Sequence, residues 1–282
     1  LKAEGVTLVK HIRDLAFMGF LEVIINLPTI LKNISLCKKD ILEFLPDALI
    51  LVDYPAFNFR IAEFAKKKGI RVFYYISPQI WAWKKSRINQ IRKNVDKMFV
   101  ILPFEKEYYQ KNNFEVDFVG HPLLDEIAKD NFPFSIETEK PIIALLPGSR
   151  KQEISKMLPK MLEVVNDFSY YQFVVATTNS VEEEFYTNII VNKNILLAKN
   201  ETYGLLKNAK AALVTSGTAT LETALFVVPQ VVCYKTNSFS YQIAKRLVKT
   251  KFISLVNIIM DKLVVKELLQ DELNGQNLSA SL

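Results

Sequence analysis

A turn of small, hydroxyl-bearing residues separates an apolar run from a helical pattern late in the chain. Ala211–Val214 has the length of a buried strand, and a helical pattern runs on from Thr220 to Phe226. Such a turn presents backbone N–H groups at the positive end of a helix, where an anion is stabilised. Four residues of this segment are therefore candidate ligands of a phosphate group: Ser216, Gly217, Thr218 and Thr220.

Glu222 follows in the first turn of the same helical pattern, where its carboxylate could accept hydrogen bonds from a ribose. The alternative is an ordinary N-cap, formed by Ser216 or Thr218, with a glutamate that only favours the helix dipole. The local pattern leaves both interpretations open.

A second turn with anion-binding chemistry follows the apolar run Ile142–Leu145. It contains Gly148, Ser149 and Arg150, and the planar guanidinium offers a fixed fork to phosphate oxygens.

Two residues at other predicted strand ends could move protons. Asp53 closes the apolar run Ala48–Val52, where partial desolvation would raise its pKa and suit it to act as a general base. The alternative is a carboxylate that caps the following helix. His121, in a Gly-His-Pro turn, could serve as an acid, a base or a phosphate donor, or could only tie down the turn backbone.

Tryptophans beside a basic stretch suggest contact with an anionic membrane surface. The residues concerned are Trp81, Trp83, Lys84, Lys85 and Arg87. A second basic and aromatic stretch, residues 235–251, contains no acidic residue. Core aromatics beside a solvated basic helix face are the alternative for each stretch. No nucleic-acid-binding module is recognisable, so no nucleic-acid partner is expected.

The composition of the chain indicates what kind of protein it is. The chain has 282 residues, half of them hydrophobic, with a net charge of +6, which predicts a packed globular protein with an anionic partner. Its two cysteines and two histidines follow no metal-binding spacing, and we expect neither a metal nor a cofactor. No apolar run reaches the roughly 18–20 residues of a membrane-spanning helix.

Strand and helix patterns alternate along the chain, which predicts an α/β fold with parallel sheets. The pattern lapses in the polar segment 129–141, and we place a domain boundary there, giving domains 1–134 and 135–282. Helices are expected at residues 151–168, 181–192, 239–250 and 262–270. The two domains should face each other across a cleft, with ligands at the carboxyl ends of the strands.

Eight motifs taken together resemble the lipid-A-disaccharide synthase family, in order and over essentially the whole chain. They are MGFLEV (18–23), DYPAFN (53–58), YYISPQIWAWKKSRINQI (74–91), ILPFEKEYY (101–109), FVGHPLLD (118–125), LLPGSR (145–150), LVTSGTATLE (213–222) and AKRLVKTKFISLVNIIM (244–260). The resemblance implies a GT-B glycosyltransferase with two Rossmann-like domains. It also implies that the family's first strand, its Gly-Glu-x-Ser-Gly-Asp-type loop and its closing helices are missing from this sequence.

The implied reaction joins UDP-2,3-diacylglucosamine to 2,3-diacylglucosamine 1-phosphate (lipid X), with inversion and without a metal. By the same resemblance, Asp53 is the base, Arg150 holds donor phosphate, Glu222 lies near the ribose and Asn257 is a further residue of the UDP-sugar site. The family is peripheral to the cytoplasmic face of the inner membrane, and a homodimer is compatible with the resemblance. The alternative is another GT-B enzyme acting on a UDP-N-acetylhexosamine, either an epimerase or a peptidoglycan-type transferase.

Overall fold

The computed structural model describes residues 5–10, 26–82, 84–191, 194–237, 241 and 250–282. The chain divides into two compact units, Leu1–Gly120 and His121–Leu282. Each unit contains one sheet whose described strands all pair in parallel. The predicted α/β class with two parallel sheets is therefore confirmed.

The first unit has a four-stranded sheet in the order β1-β2-β3-β4. Its strands are β1 (Ala48–Val52), β2 (Arg71–Tyr75), β3 (Lys97–Val100) and β4 (Asp117–Phe118). Its described helices are α1 (Leu27–Phe44), α2 (Pro55–Lys67), α3 (Ile88–Asn94) and α4 (Pro103–Lys111), with a 3-10 turn at Lys85–Arg87.

Alternate residues of these strands form the core of the first unit, because successive side chains of a strand point to opposite faces. Leu51, Val72, Tyr74 and Met98 lie on one face and pack in a single buried cluster with side chains of the helices. Parallel pairing brings the ends of β1 and β2 side by side, with Val52 paired to Tyr75.

The second unit has a six-stranded sheet in the order β10-β9-β8-β5-β6-β7. Its strands are β5 (Ile142–Leu146), β6 (Gln172–Thr177), β7 (Leu196–Lys199), β8 (Ala209–Thr215), β9 (Gln230–Tyr234) and β10 (Lys266–Leu269). Its described helices are α5 (Pro122–Ile127), α6 (Lys151–Leu162), α7 (Glu183–Thr187), α8 (Thr202–Asn208), α9 (Thr218–Leu225), α10 (Leu255–Met260) and α11 (Gly275–Ser281), with 3-10 turns at Val165–Phe168 and Gln270–Glu272.

Strand order in the second sheet reverses at β5. The chain proceeds from β5 outward through β6 and β7, then returns to the other side of β5 and proceeds through β8, β9 and β10. This is the doubly wound arrangement, in which ligands bind at the carboxyl ends of the strands that flank the reversal. Those strands are β5 and β8, which pair as far as Leu146 and Val214.

Two local predictions in the second unit need correction. Residues 262–270 are not a helix, because Lys266–Leu269 pair with β9 as the edge strand β10. A short segment of mixed polarity does not distinguish the two states. The helices predicted at 151–168 and 181–192 are shorter, Lys151–Leu162 and Glu183–Thr187. The helix predicted at 239–250 falls almost wholly outside the described residues.

The segment that follows His121 packs on the second unit. The Phe132 ring lies 5.2 Å from that of Tyr203 and 5.6 Å from that of Phe226. Gly204 permits close approach of this segment, since a Cβ there would lie 2.1 Å from the Pro133 carbonyl oxygen. These contacts group the residues before 134 with the second unit, while the domain limits expected from the sequence stay a prediction.

Candidate active site

Asp53 lies in the turn between β1 and α2, and the backbone of this turn is unusual. Asp53 and Tyr54 both have a φ of 44°, in the left-handed region that residues with a side chain rarely adopt. Each such residue costs on the order of 1–3 kcal/mol and persists only where its surroundings impose it. The turn therefore needs specific contacts to hold it.

Contacts from both sides hold this turn. The N–H of Asp53 donates to the Tyr75 carbonyl at 3.0 Å. The Asp53 carbonyl accepts from the Tyr74 hydroxyl at 2.6 Å and from Asn58 Nδ2 at 2.6 Å. Asn58 Nδ2 also donates to the carbonyl of Val52 at 3.1 Å. The backbone of Asp53 is thus attached to the neighbouring strand and to the following helix.

The carboxyl group of Asp53 is partly desolvated. Partial desolvation by neighbouring protein atoms raises its pKa above that of an ordinary aspartate, and a hydrogen bond from the Tyr54 backbone opposes this shift. The residue is nevertheless exposed at the surface. A solvent-accessible carboxylate of raised basicity can accept a proton from a bound hydroxyl group.

A buried carboxylate that the sequence reasoning missed orders the loop after β2. Glu105 is 1% exposed, and its Oε2 accepts from the N–H groups of Leu102 at 2.9 Å and Ile101 at 3.2 Å. Its Oε1 accepts from the Ser77 hydroxyl and, at 3.3 Å, from Trp81 Nε1. A glutamate at the third position of a helix often accepts from the N–H of the residue that precedes the helix, and this pattern could have identified the contact with Leu102. Ser77 lies 28 residues away, and nothing in the sequence links it to Glu105.

The residues predicted to contact a membrane differ in how far they are exposed to solvent. Trp81 is half-buried, with its ring edge-on to Phe104 at 4.9 Å. The Arg87 guanidinium lies 5.2 Å from the Phe59 ring. Lys84 and Lys85 are exposed. Trp83 and most of the basic stretch 235–251 fall outside the described residues.

His121 belongs to the second unit and caps helix α5. Its Nδ1 accepts a hydrogen bond from the N–H of Leu123 at 3.2 Å, and burial lowers its pKa. Because Nδ1 accepts this hydrogen bond, the neutral ring carries its proton on Nε2. In this state His121 can donate a hydrogen bond through Nε2 but is not an imidazolium cation.

The loop Gly148–Arg150 lies at the end of β5, where the sheet order reverses. Gly148 has a φ of 110°, and a Cβ at this position would lie 2.7 Å from Oε2 of Glu153. Glu153 Oε2 accepts from the Ser149 N–H at 3.1 Å, and Oε1 accepts from Arg150 at 2.6 Å. A carboxylate of this chain thus occupies the donors that were predicted to bind phosphate.

The neighbouring loop, at the end of β8, uses part of its hydroxyl chemistry internally. The Ser216 hydroxyl donates to the Ile253 carbonyl at 3.1 Å, and the buried Thr220 hydroxyl donates to the Gly217 carbonyl at 2.8 Å. Gly217 precedes α9, whose first residue is Thr218. The first backbone N–H groups of α9 accordingly remain the candidate anion-binding groups of this loop.

Glu222 lines a cavity of about 310 Å³ in the second unit. The Tyr203 hydroxyl donates to Glu222 at 3.0 Å, and desolvation raises the pKa of the Glu222 carboxyl. The other lining residues come from the loop after β7, helix α8 and the segment before β5: Phe132, Pro133, Asn200, Glu201, Thr202 and Gly204. The sequence reasoning singled out Glu222 and missed these neighbours.

Asn257 is completely buried, and its side chain makes hydrogen bonds inside the protein. Its Oδ1 accepts from the N–H groups of Val264 at 2.7 Å and Val265 at 2.9 Å. Its Nδ2 donates to the Val265 carbonyl and to Glu267, both at 2.8 Å. All four hydrogen-bonding positions of the carboxamide are therefore filled by protein groups.

Glu267, which the sequence reasoning missed, extends this network toward the β8 loop. It accepts from the N–H groups of Ser254 at 3.0 Å and Ile253 at 3.1 Å. The carbonyl of Ile253 in turn holds the Ser216 hydroxyl. Asn257 and Glu267 thereby stabilise the candidate phosphate loop through Ile253.

Two negative findings concern the described part of the chain. No three His, Cys, Asp or Glu side chains in it are grouped as a metal site requires. No helix in the same residues is both long and apolar enough to cross a membrane.

Two solved structures illustrate which known proteins share this architecture. The structure of UDP-GlcNAc 2-epimerase from Methanocaldococcus jannaschii, in complex with UDP-GlcNAc and UDP, matches 90% of this chain and 72% of its own, with a TM-score of 0.58 and 16% identity. The glycotransferase of kitacinnamycin matches 93% of this chain and 73% of its own, with a TM-score of 0.59 and 11% identity. The fold is thus of the GT-B class, with two Rossmann-like units.

The family within this class is defined by sequence. A family model described as lipid-A-disaccharide synthetase matches residues 1–282. Lipid-A-disaccharide synthase from Syntrophus aciditrophicus is 40% identical over 295 aligned residues, covering 100% of this chain and 77% of the relative. Lipid-A-disaccharide synthase 1 from Legionella pneumophila (strain Paris) is 39% identical, covering 99% and 76%.

The chain belongs to the lipid-A-disaccharide synthase family. It is a glycosyltransferase of lipid A biosynthesis, as its motifs predicted. The assignment disfavours the alternative of an epimerase or a peptidoglycan-type transferase.

Proposed function

We propose that the enzyme transfers the sugar of UDP-2,3-diacylglucosamine to the 6-hydroxyl of 2,3-diacylglucosamine 1-phosphate. The products are a β-1',6-linked lipid A disaccharide phosphate and UDP. One observation carries the donor half of this proposal. Two loops rich in small residues, Gly148–Arg150 and Ser216–Thr218, follow the adjacent strands β5 and β8 at the reversal of strand order.

The donor diphosphate binds at these two loops. Backbone N–H groups at the start of α9 and the Arg150 guanidinium neutralise its charge. Glu153 releases Ser149 and Arg150 when the diphosphate arrives, since an exposed ion pair contributes only about 0–1 kcal/mol. Glu222 lies in the neighbouring cavity, where its carboxylate accepts hydrogen bonds from the ribose.

Asp53 is the general base of the transfer, and the acceptor binds beside the first unit. The acceptor 6-hydroxyl loses its proton to Asp53 while its oxygen bonds to C1 of the donor sugar. The bond from C1 to the phosphate oxygen breaks, and the electron pair leaves with UDP. A single displacement of this kind inverts the configuration at C1, and the N–H groups and Arg150 stabilise the charge that develops on UDP. This chemistry requires the two units to face each other across a cleft, which is part of the proposal.

The acyl chains of both substrates make a membrane surface the expected location of the reaction. The exposed side chains of Lys84 and Lys85 support binding to anionic phospholipid. We accordingly place the enzyme at the cytoplasmic face of the inner membrane as a peripheral protein. His121 provides a donor through Nε2 for an oxygen of the bound substrates.

Mass spectrometry of products tests the reaction directly. The enzyme is incubated with both lipid substrates, and the expected products are the disaccharide phosphate and UDP. Arg150→Ala should weaken UDP binding roughly 10- to 100-fold, because a charge-assisted hydrogen bond contributes about 1.5–3 kcal/mol. Lys151→Ala, which removes the adjacent cation paired with Glu182 at 2.6 Å, is the matched control. Epimerised UDP-sugar without disaccharide would contradict the proposal.

A further inference from the structure

The turn that carries Asp53 is held by two side chains that the reaction itself does not use. We infer that the Tyr74 hydroxyl and the Asn58 carboxamide are positioning groups, which fix the backbone of Asp53 so that its carboxylate keeps one direction. This inference rests on the proposed role of Asp53 as the base, and it adds two residues to that role.

The first observation is the burial of the tyrosine that makes the contact. Tyr74 is 0% exposed in the core of the first unit, with its ring 6.2 Å from that of Phe59. A phenylalanine would fill the same core volume. The hydroxyl instead donates at 2.6 Å to the carbonyl of Asp53, 21 residues earlier in the chain. A buried hydroxyl is costly without a partner, so this contact fixes where the carbonyl must lie.

The second observation is that a different element makes the same contact. Asn58 is 8% exposed in the first turns of α2, and its Nδ2 donates to the carbonyls of both Val52 and Asp53. One carbonyl therefore has donors from the neighbouring strand and from the following helix. Asp53 and Tyr54 occupy the left-handed region in succession, and without these donors the φ of Asp53 can relax to a less strained value.

Relaxation of this φ turns the Asp53 side chain, because rotation about the N–Cα bond moves the Cβ that carries the carboxylate. A displacement of about 1 Å at a reacting group can lower turnover about 100-fold. Tyr74→Phe should thus lower kcat about 10- to 100-fold, with the KM for the UDP-sugar unchanged within about twofold.

Tyr108→Phe is the matched control in the same unit. The Tyr108 hydroxyl is buried and makes no hydrogen bond to the described residues, so its removal should leave kcat unchanged. Equal activity of the Tyr74→Phe and Tyr108→Phe enzymes would overturn the inference.

A double-variant cycle separates positioning from general weakening of the fold. If Tyr74 acts through Asp53, then Tyr74→Phe should cause no further loss in enzyme that already contains Asp53→Asn. If Tyr74→Phe lowers turnover by the same factor in both backgrounds, then Tyr74 acts only through the stability of the protein. Full turnover by Asp53→Asn alone would instead remove Asp53 from the chemistry, and the proposed mechanism would fail together with the inference.

Discussion

The guanidinium of Arg150 and the carboxylate of Glu153 are joined at 2.6 Å, three residues apart, at the start of α6. The second oxygen of the same carboxylate accepts the Ser149 N–H at 3.1 Å. A group of the chain therefore rests where we propose that a donor phosphate binds. Because Arg150 is about half exposed, exchange of the carboxylate for a phosphate is energetically cheap.

Removal of this internal anion should tighten UDP binding. Glu153→Gln lowers the charge that competes for Arg150, so the UDP dissociation constant should fall about two- to fivefold, equivalent to an ion pair of up to about 1 kcal/mol. Isothermal titration calorimetry measures the change. Glu163→Gln, which breaks an equivalent i,i+3 pair with Lys160 at the other end of α6, should have no effect. Weaker binding by Glu153→Gln would show that the glutamate orients Arg150 instead of competing with the ligand.

The acid limb of the pH–rate profile should belong to Asp53. A base acts in its ionised form, and its pKa is raised, so kcat/KM should fall on acidification at a pH above the ordinary aspartate value of about 3.9. Asp53→Glu should shift this limb, and Asp53→Asn should leave only a low residual turnover that lacks it. His121 also titrates on the acid side, since its pKa is lowered. A limb that disappears in His121→Gln would assign it to the histidine.

Glu105 should be essential for the stability of the first unit. Glu105→Gln presents an amide N–H₂ to buried donors, so the free energy of unfolding should fall by about 2–4 kcal/mol, as expected for one or two unsatisfied buried groups. Urea denaturation measures this loss. Glu107→Gln on the same helix removes an exposed charge that pairs with Lys111 at 2.6 Å, and it should change stability little. Equal effects of the two substitutions would show that burial of Glu105 is unimportant.

The pairing of Asn257 with Glu267 can be tested by exchange of donor and acceptor. Asn257→Asp places an oxygen against Glu267 and the Val265 carbonyl, and should lower the melting temperature and weaken UDP binding through the β8 loop. Glu267→Gln in the same chain restores a donor between the two side chains and should recover part of both losses. Thermal unfolding and calorimetry on the single and double variants measure the recovery. A double variant no better than Asn257→Asp would exclude this contact as the cause.

Local sequence patterns were sufficient to predict two strand–turn–helix loops. Gly148–Arg150 and Ser216–Thr218 each join an apolar strand to a helix, and that pattern depends only on residues close together in the chain. The same holds for Asp53 at the end of β1. Edge strand β10 was missed, because four residues of mixed polarity become a strand only through pairing with β9.

The sequence by itself determined the alternation of strands and helices, the small-residue turns that open helices α6 and α9, and membership of the family. Only the tertiary structure decided which polar side chains remain available to a ligand. Ser216, Thr220 and Asn257 are bonded inside the protein, whereas Tyr74 and Glu105 reach across 21 and 28 residues to hold the loops of the first unit. The reason is physical: a turn forms from neighbouring residues, while the partner of a buried polar group is set by which strands lie side by side.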